Sequence, residues 1–329
     1  MTPGGAEEKN GTAGGGVLVA RRVPEAVAER ARRDFGAMVA DHDMTADEAL
    51  GIVAEKGLAA LVTGGTVRIN AGHAARLPPS LRIVANTSVG YDHMDAAAVK
   101  AAGVIVTNTP DVLTDCTADL AFMLLLNACR RGYEYEAIMR AGWRKGYGMP
   151  DNLGLQVSGK TLGIVGMGRI GQAMARRAQG FGMTILYNNR RRLPPDQEMG
   201  AEYVAELPAM LPRCDILSLH LPGGEAGTLM TAEAFALLPR GAVFVNTARG
   251  SLVDEDALIE ALTSGHLFAA GLDVFRREPD FDTRFAELPN VFLTPHVASA
   301  TVETRNAMGF KALDNVAAVL SGKPPIDPV

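Results

Sequence analysis

Between Thr161 and Arg192 the chain reads TLGIVGMGRIGQAMARRAQGFGMTILYNNRRR, a stretch that admits few folds. Leu162, Ile164 and Val165 make the short apolar run that a strand buried on both faces requires. The run stops at Gly166-Met167-Gly168-Arg169-Ile170-Gly171, a G-x-G-x-x-G, and a helical pattern rich in Ala and Arg follows from Gln172 to Gln179. A second β-like run, Met183 to Tyr187, closes a βαβ unit. Such a glycine pattern is weak alone, but between a strand and a helix it reads as a phosphate-binding turn. Gly166 permits the tight turn, Gly168 lets backbone approach a pyrophosphate, and Gly171 lets helix and strand pack closely. The phosphates then sit on the positive end of the helix, with Met167, Arg169 and Ile170 in the same candidate site. The competing reading is a strand-turn-helix that binds no nucleotide.

The end of the second strand selects the dinucleotide. An NAD site places Asp or Glu about 20 residues past the glycines to accept hydrogen bonds from the adenosine ribose. Asn188 and Asn189 stand there instead, followed by Arg190, Arg191 and Arg192. Nothing repels a 2′-phosphate, and guanidinium groups can grip one bidentately. Asn189, Arg190 and Arg191 are therefore expected to select NADPH, with NADH possible. The alternative is a solvated basic loop that leaves NAD binding unselective.

A chain of 329 residues is long enough for two domains, each with its own core. Its formal net charge of -5 excludes nucleic acid and anionic membrane as main partners, since both need a basic field. The longest apolar run, Leu120 to Leu126, is far short of a membrane span. Residues 1–16, MTPGGAEEKNGTAGGG, have no apolar signal segment and read as a disordered tail. Cys116, Cys129 and Cys214 are scattered, which suits a reduced, cytoplasmic protein. The six histidines show no ligand spacing, so no metal is expected.

From 17 to 108, short apolar strands (Val17 to Ala20, Leu58 to Val62, Leu81 to Ala85, Val104 to Thr107) alternate with helices, as in a small doubly wound unit. Ser88-Val89-Gly90 follows one strand, where free backbone N–H groups can hold a small anion, or where the chain simply turns into a helix. A helix is expected from Thr114 to Arg131, with a hinge near 109. Residues 132–160 form a long connection whose one Trp, Trp143, is either an anchor against a second subunit or a core residue. Six strands are counted from Thr161 onward, and a last helix from Thr301 to Leu320 crosses back to the first unit.

Arg249, Glu278 and His296 fall just past successive strand ends in the second half of that sheet. Hydride transfer to a 2-oxo acid needs a planar cation for the carboxylate and a proton for the carbonyl oxygen. Arg249 matches the first need, and His296 the second, with Glu278 favouring its imidazolium. Each residue alone also fits a structural role: a strand-end cap, a solvated loop charge, a core histidine.

The runs GIVGMGRIGQAMARRAQGFGM, NTARGSLVDEDAL, GLDVFRREP and LTPHVASAT, together with SVGYDHMD, resemble the signatures of the D-isomer-specific 2-hydroxyacid dehydrogenases over about residues 17 to 325. The resemblance implies an α/β fold of two doubly wound parallel-sheet domains with the active site between them, usually as a homodimer. One would be a flavodoxin-like substrate-binding domain, 17–109 plus 297–329. The other would be a Rossmann NAD(P)-binding domain, 110–296. His296 would be the acid/base, Glu278 its partner, Arg249 the carboxylate binder, and the N–H groups of Val89 and Gly90 the substrate holders. Asp273 would contact the nicotinamide amide, and Thr114, Leu221, Pro222, Thr247 and Ala248 would line the cofactor. SVGYDHMD, the arginine cluster and HVASATVETRNAM are most similar to glyoxylate/hydroxypyruvate reductases that prefer NADPH. Ala298 departs from the Gly of many members, and its methyl group would crowd the cofactor. Two other readings remain: a dehydrogenase for another 2-oxo acid, and a dinucleotide-sensing regulatory protein on the same fold.

Overall fold

The computed structural model describes residues 15–223 and 227–329, so all but Gly15 and Gly16 of the expected N-terminal tail lies outside the described residues. The chain divides into two compact units, Met1–Leu113 with Thr301–Val329, and Thr114–Ala300.

The first unit carries β1 (Val17–Val19), β2 (Met38–Val39), β3 (Ala60–Thr63), β4 (Ile83–Asn86) and β5 (Ile105–Thr107). They form one parallel sheet in the order β2-β1-β3-β4-β5, the flavodoxin-like winding. Alternate residues feed opposite faces: Leu18, Leu61, Val84 and Val106 one core, Val17, Val19, Ala60, Val62 and Ile83 the other. The helix Val302–Leu320 supplies Ala312, Leu313, Val316 and Val319 to the second of these cores. Strand β2 was not among the sequence expectations, because two residues, one of them 39% exposed, leave no apolar run to detect.

The second unit carries β6 (Thr161–Val165), β7 (Thr184–Asn188), β8 (Glu202–Tyr203), β9 (Ile216–Leu219), β10 (Ala242–Asn246), β11 (Leu267–Leu272) and β12 (Val291–Leu293). The sheet is parallel throughout, in the order β12-β11-β10-β9-β6-β7-β8. Seven strands replace the six expected. The extra one, β8, pairs only Glu202 and Tyr203 with β7, again too short for a periodic signal. From the β8 edge, the first six follow the dinucleotide-binding order, which reverses between β6 and β9. Phe244 of β10 enters the core on one face, and Val243 and Val245 enter the other, where Leu124, Leu125, Met174 and Ala178 of two helices cover them. Because every strand runs the same way, all carboxyl ends lie along one edge, and the sequence-predicted residues of this unit collect there.

The helix Thr114–Cys129 ends two residues early, and a second helix, Gly132–Arg140, occupies part of the expected long connection. Trp143 is 58% exposed, which removes the core alternative for it. Among the described residues the three cysteines are buried and form no disulfide, no His, Cys, Asp or Glu side chains gather into a metal-binding group, and no helix is long and apolar enough to cross a membrane.

Candidate active site

The glycine turn follows β6 directly. Gly166 has φ 95°, and a Cβ there would stand 2.6 Å from the His220 carbonyl oxygen, so only glycine fits beside β9. At Gly171 a Cβ would come within 2.3 Å of the Gly166 oxygen. At Gly168, by contrast, it would meet nothing within 4 Å. The protein's own packing therefore makes no demand for glycine at 168; an approaching pyrophosphate would. The helix Arg169–Gln179 begins at Gly168 without a side-chain cap, leaving first-turn N–H groups directed along its positive end. Met167 is buried and donates its N–H to Asn189 Oδ1 at 2.7 Å, while Gly166 donates to the Asn188 carbonyl at 3.0 Å. Asn189 thus braces the turn from the end of β7.

The loop after β7 separates the three arginines. Arg190 and Arg191 are exposed and make no ion pair with any described residue. Arg192 is committed elsewhere, donating bidentately to buried Glu198 at 2.7 and 3.0 Å. The Tyr187 hydroxyl donates to the same carboxylate at 2.7 Å and accepts from the Leu193 N–H at 3.0 Å. Hydrogen bonds from Arg192 and Tyr187 hold the Glu198 carboxyl down to about 2. The cluster is therefore two outward guanidiniums on a brace formed by the third, and Glu198 had no signal in the sequence.

Thr247 and Ala248 follow β10 and are buried, and the Thr247 hydroxyl has no hydrogen-bond partner among the described residues, a buried polar atom able to meet a ligand. Leu221 and Pro222 follow β9 on the far side of the strand-order reversal, and Thr114 opens its helix. Together with the glycine turn, these residues fit a dinucleotide.

Arg249, Glu278 and His296 are brought to one place. Asn246, the buried last residue of β10, accepts from the Ala248 N–H at 2.9 Å and donates to the Arg249 carbonyl at 3.0 Å, fixing the turn that carries Arg249. A Cβ at Gly250 would lie 1.9 Å from the Phe275 carbonyl carbon, so this turn sits hard against the loop that bears Glu278. Glu278 accepts from the Phe275 N–H at 2.8 Å through Oε1, and its Oε2 lies 2.6 Å from His296 Nδ1. Burial would raise the Glu278 proton affinity. Hydrogen bonds from His296 and Phe275, with the charges of His296 and Arg249, outweigh it and hold the carboxyl below its ordinary value. An ionised carboxylate only accepts, so the hydrogen lies on Nδ1 and the imidazole turns Nε2 to the opposite side. Sequence reading missed Asn246, whose one cue is a polar residue ending an apolar run.

Asp273, just after β11, is 0% exposed. Its Oδ1 accepts from the Thr294 hydroxyl at 2.7 Å and the Val297 N–H at 2.8 Å, and its Oδ2 from the Ala298 N–H at 3.0 Å. Ala298 is itself buried.

In the first unit, the turn after β4 is held by its carbonyls. Asn86 Nδ2 donates to Ser88 O and Gly90 O at 3.1 and 3.0 Å, and Asn108 Nδ2 to Val89 O at 2.9 Å. The N–H groups of Val89 and Gly90 donate to no described residue.

Comparison with known proteins follows the same lines. Residues 122–298 match the family described as D-isomer specific 2-hydroxyacid dehydrogenase, NAD binding domain. A glyoxylate reductase of Thermococcus onnurineus is 41% identical over 315 residues, 94% of each chain. The chain belongs to the D-isomer specific 2-hydroxyacid dehydrogenase family. Another member, glyoxylate/hydroxypyruvate reductase B of Citrobacter koseri, is 46% identical over 249 residues, 74% of this chain and 76% of that one. The solved NADPH-dependent glyoxylate/hydroxypyruvate reductase of Sinorhizobium meliloti, in complex with NADP and malonate, is 36% identical with a TM-score of 0.84, covering 95% of this chain and 96% of its own. Membership makes this chain an NAD(P)-dependent oxidoreductase.

Proposed function

We propose that this dehydrogenase reduces small 2-oxo acids, glyoxylate and hydroxypyruvate, to their 2-hydroxy acids with NADPH. The observation that carries the reading is the 2.6 Å contact of Glu278 Oε2 with His296 Nδ1, beside the Arg249 charge. NADPH, when bound, supplies the hydride. Arg249 grips the substrate carboxylate with its planar fork. His296 gives the proton on Nε2 to the carbonyl oxygen as charge develops there, and Glu278 holds the required tautomer and stabilises the imidazolium. The N–H groups of Val89 and Gly90 add hydrogen bonds to the substrate anion.

Support for NADPH comes from the missing carboxylate at Asn188-Asn189, from the outward Arg190 and Arg191, and from the NADPH-dependent Sinorhizobium relative. NADH serves as a weaker donor. Support for the substrates comes from the names of the Thermococcus and Citrobacter relatives. Tyr133, Met139, Trp143, Met149 and Leu153 are all at least 48% exposed in one segment, an apolar surface suited to a second copy of the chain in a homodimer.

Steady-state kinetics with glyoxylate, hydroxypyruvate and pyruvate, each with NADPH and NADH, tests the proposal. Turnover with the first two is expected, and His296→Ala should lower kcat about 10²-fold or more. Undiminished turnover in that variant would refute the acid/base assignment, and a wild-type protein inert on every 2-oxo acid would turn the reading to dinucleotide sensing.

A further inference from the structure

We propose that Arg21 is the positioning residue of the turn at Val89 and Gly90, bracing it through Thr87 and lending it the positive charge that a substrate anion meets. The inference rests on the reading of those two N–H groups as the substrate holders. Arg21 stands two residues past β1, Gly64 directly follows β3, and Thr87 directly follows β4. These strands are neighbours in the order β1-β3-β4, so the three residues share one stretch of the sheet's carboxyl edge. The guanidinium donates through Nη1 to the Thr87 hydroxyl at 3.2 Å, and that hydroxyl donates to the Thr63 carbonyl at 2.8 Å. The Thr87 N–H donates to the same carbonyl, also at 2.8 Å. Arg21 thus helps fix the residue from which the turn sets out. A Cβ at Gly64 would stand 1.9 Å from Nη1, so glycine there leaves the room that the guanidinium occupies.

The charge is not neutralised by a carboxylate of the described chain. Asp43, the carboxylate whose charge Arg21 feels most, is taken by Arg22, accepting from its N–H at 3.1 Å and from its guanidinium at 3.3 Å. Among the described residues Arg21 itself has no ion-pair partner, although it is partly buried. Burial above all, then the charges of Arg305 and Arg22, pull its proton affinity below the ordinary value against the attraction of Asp43. A guanidinium keeps its proton even so, and the edge carries a fixed positive charge. A partly desolvated cation without a counter-ion costs stability, and an anion held near it offsets that cost. The N–H groups of the turn supply the bonds, and Arg21 the preference for negative charge.

Steady-state kinetics of variants on glyoxylate test the role. Arg21→Met should raise KM about fivefold, the scale of one hydrogen bond and one screened charge lost behind a binding site. Both kcat and the NADPH dissociation constant should change less than about twofold, and kcat/KM should depend less steeply on ionic strength. Arg21→Lys keeps the charge and should bring KM back to within about twofold of the wild type. Gly64 lies outside the left-handed region, so Gly64→Ala adds no backbone strain there and pushes the guanidinium off Thr87. It should raise KM about threefold with kcat retained, and it carries the test if Arg21→Met does not fold. An unchanged KM in either variant, an Arg21→Lys enzyme no better than Arg21→Met, or a kcat that falls in step with kcat/KM would overturn the role of Arg21 alone, provided that Asn86→Ala, which frees two carbonyls of the same turn, still raises KM. An unchanged KM in Asn86→Ala as well would overturn the turn as an anion site and this inference together.

Discussion

Two strand-end turns, one in each unit, are built by opposite means. The turn after β4 is pinned by its carbonyls, which accept from the side-chain amides of Asn86 and Asn108, while the N–H groups of Val89 and Gly90 donate to no described residue. The turn after β12 is pinned by its N–H groups and the Thr294 hydroxyl, which donate to Asp273, so the side chain of His296 is what it presents. The difference teaches that the supporting side chain sets what a turn can offer. An amide that donates inward leaves backbone N–H groups, the donors an anion would need, whereas a carboxylate that accepts inward leaves a side chain, the group a proton transfer would need. The loop after β7 is a third case. There Glu198 takes the side chain of Arg192, and Arg190 and Arg191 are what remains to be offered.

Substitutions at the supporting or contacting residues test this contrast, and the largest effect is expected at Glu278. Glu278→Gln puts an amide against His296 Nδ1 and removes the charge that favours the imidazolium. We expect kcat to fall about 10²-fold with little change in the KM for glyoxylate. A KM effect alone would mean that Glu278 serves binding and would erase the distinction between the two turns. Next comes Asn86→Ala, which frees the carbonyls of Ser88 and Gly90 and lets the turn rotate. A rise of about 10-fold in the KM for the oxo acid is expected, with kcat retained. Loss of kcat instead would show that this turn does more than hold an anion.

Smaller still is Arg190→Ala, for which the KM for NADPH should rise several-fold, about the loss of one charge-assisted contact, while that for NADH moves less than about twofold. Equal shifts would make the basic loop irrelevant to cofactor choice. The least effect is expected from titrating the brace beneath it. The Glu198 carboxyl sits at about 2 in the folded protein, below the ordinary glutamate value of about 4.3. With the folded value the lower one, the brace contributes fully above about pH 4.5 and is lost as pH falls toward 2. Thermal unfolding should weaken over that window. In Glu198→Gln the Tm should be lower at neutral pH and the drop shallower; an identical pH profile in the variant would remove Glu198 as the cause.

Much of the fold was legible because its signals are local. The G-x-G-x-x-G between an apolar run and a helix needs no distant partner to be read, and buried parallel strands such as β6 and β10 announce themselves by continuous apolar residues. The two missed strands, β2 and β8, have two residues each and draw their register from a neighbour, not from any pattern of their own. In the candidate site, Arg249, Glu278 and His296 could be suspected from their places after strand ends, since a parallel sheet brings such positions to one edge. Asn246, Asp273 as a clamp, and Glu198 were not visible in their supporting roles.

The sequence by itself determined the order of the longer strands and of the helices between them, the glycine turn, and which ionisable side chains arrive at the carboxyl edge of the second sheet. Those properties follow from spacing along the chain. Tertiary structure alone decided which donor meets which acceptor: Glu278 with His296, Arg192 with Glu198, and Asp273 with a loop 21 to 25 residues away. Hydrogen bonds depend on direction and on distances of a few tenths of an ångström. A chain fixes those only when its sheets have twisted and packed.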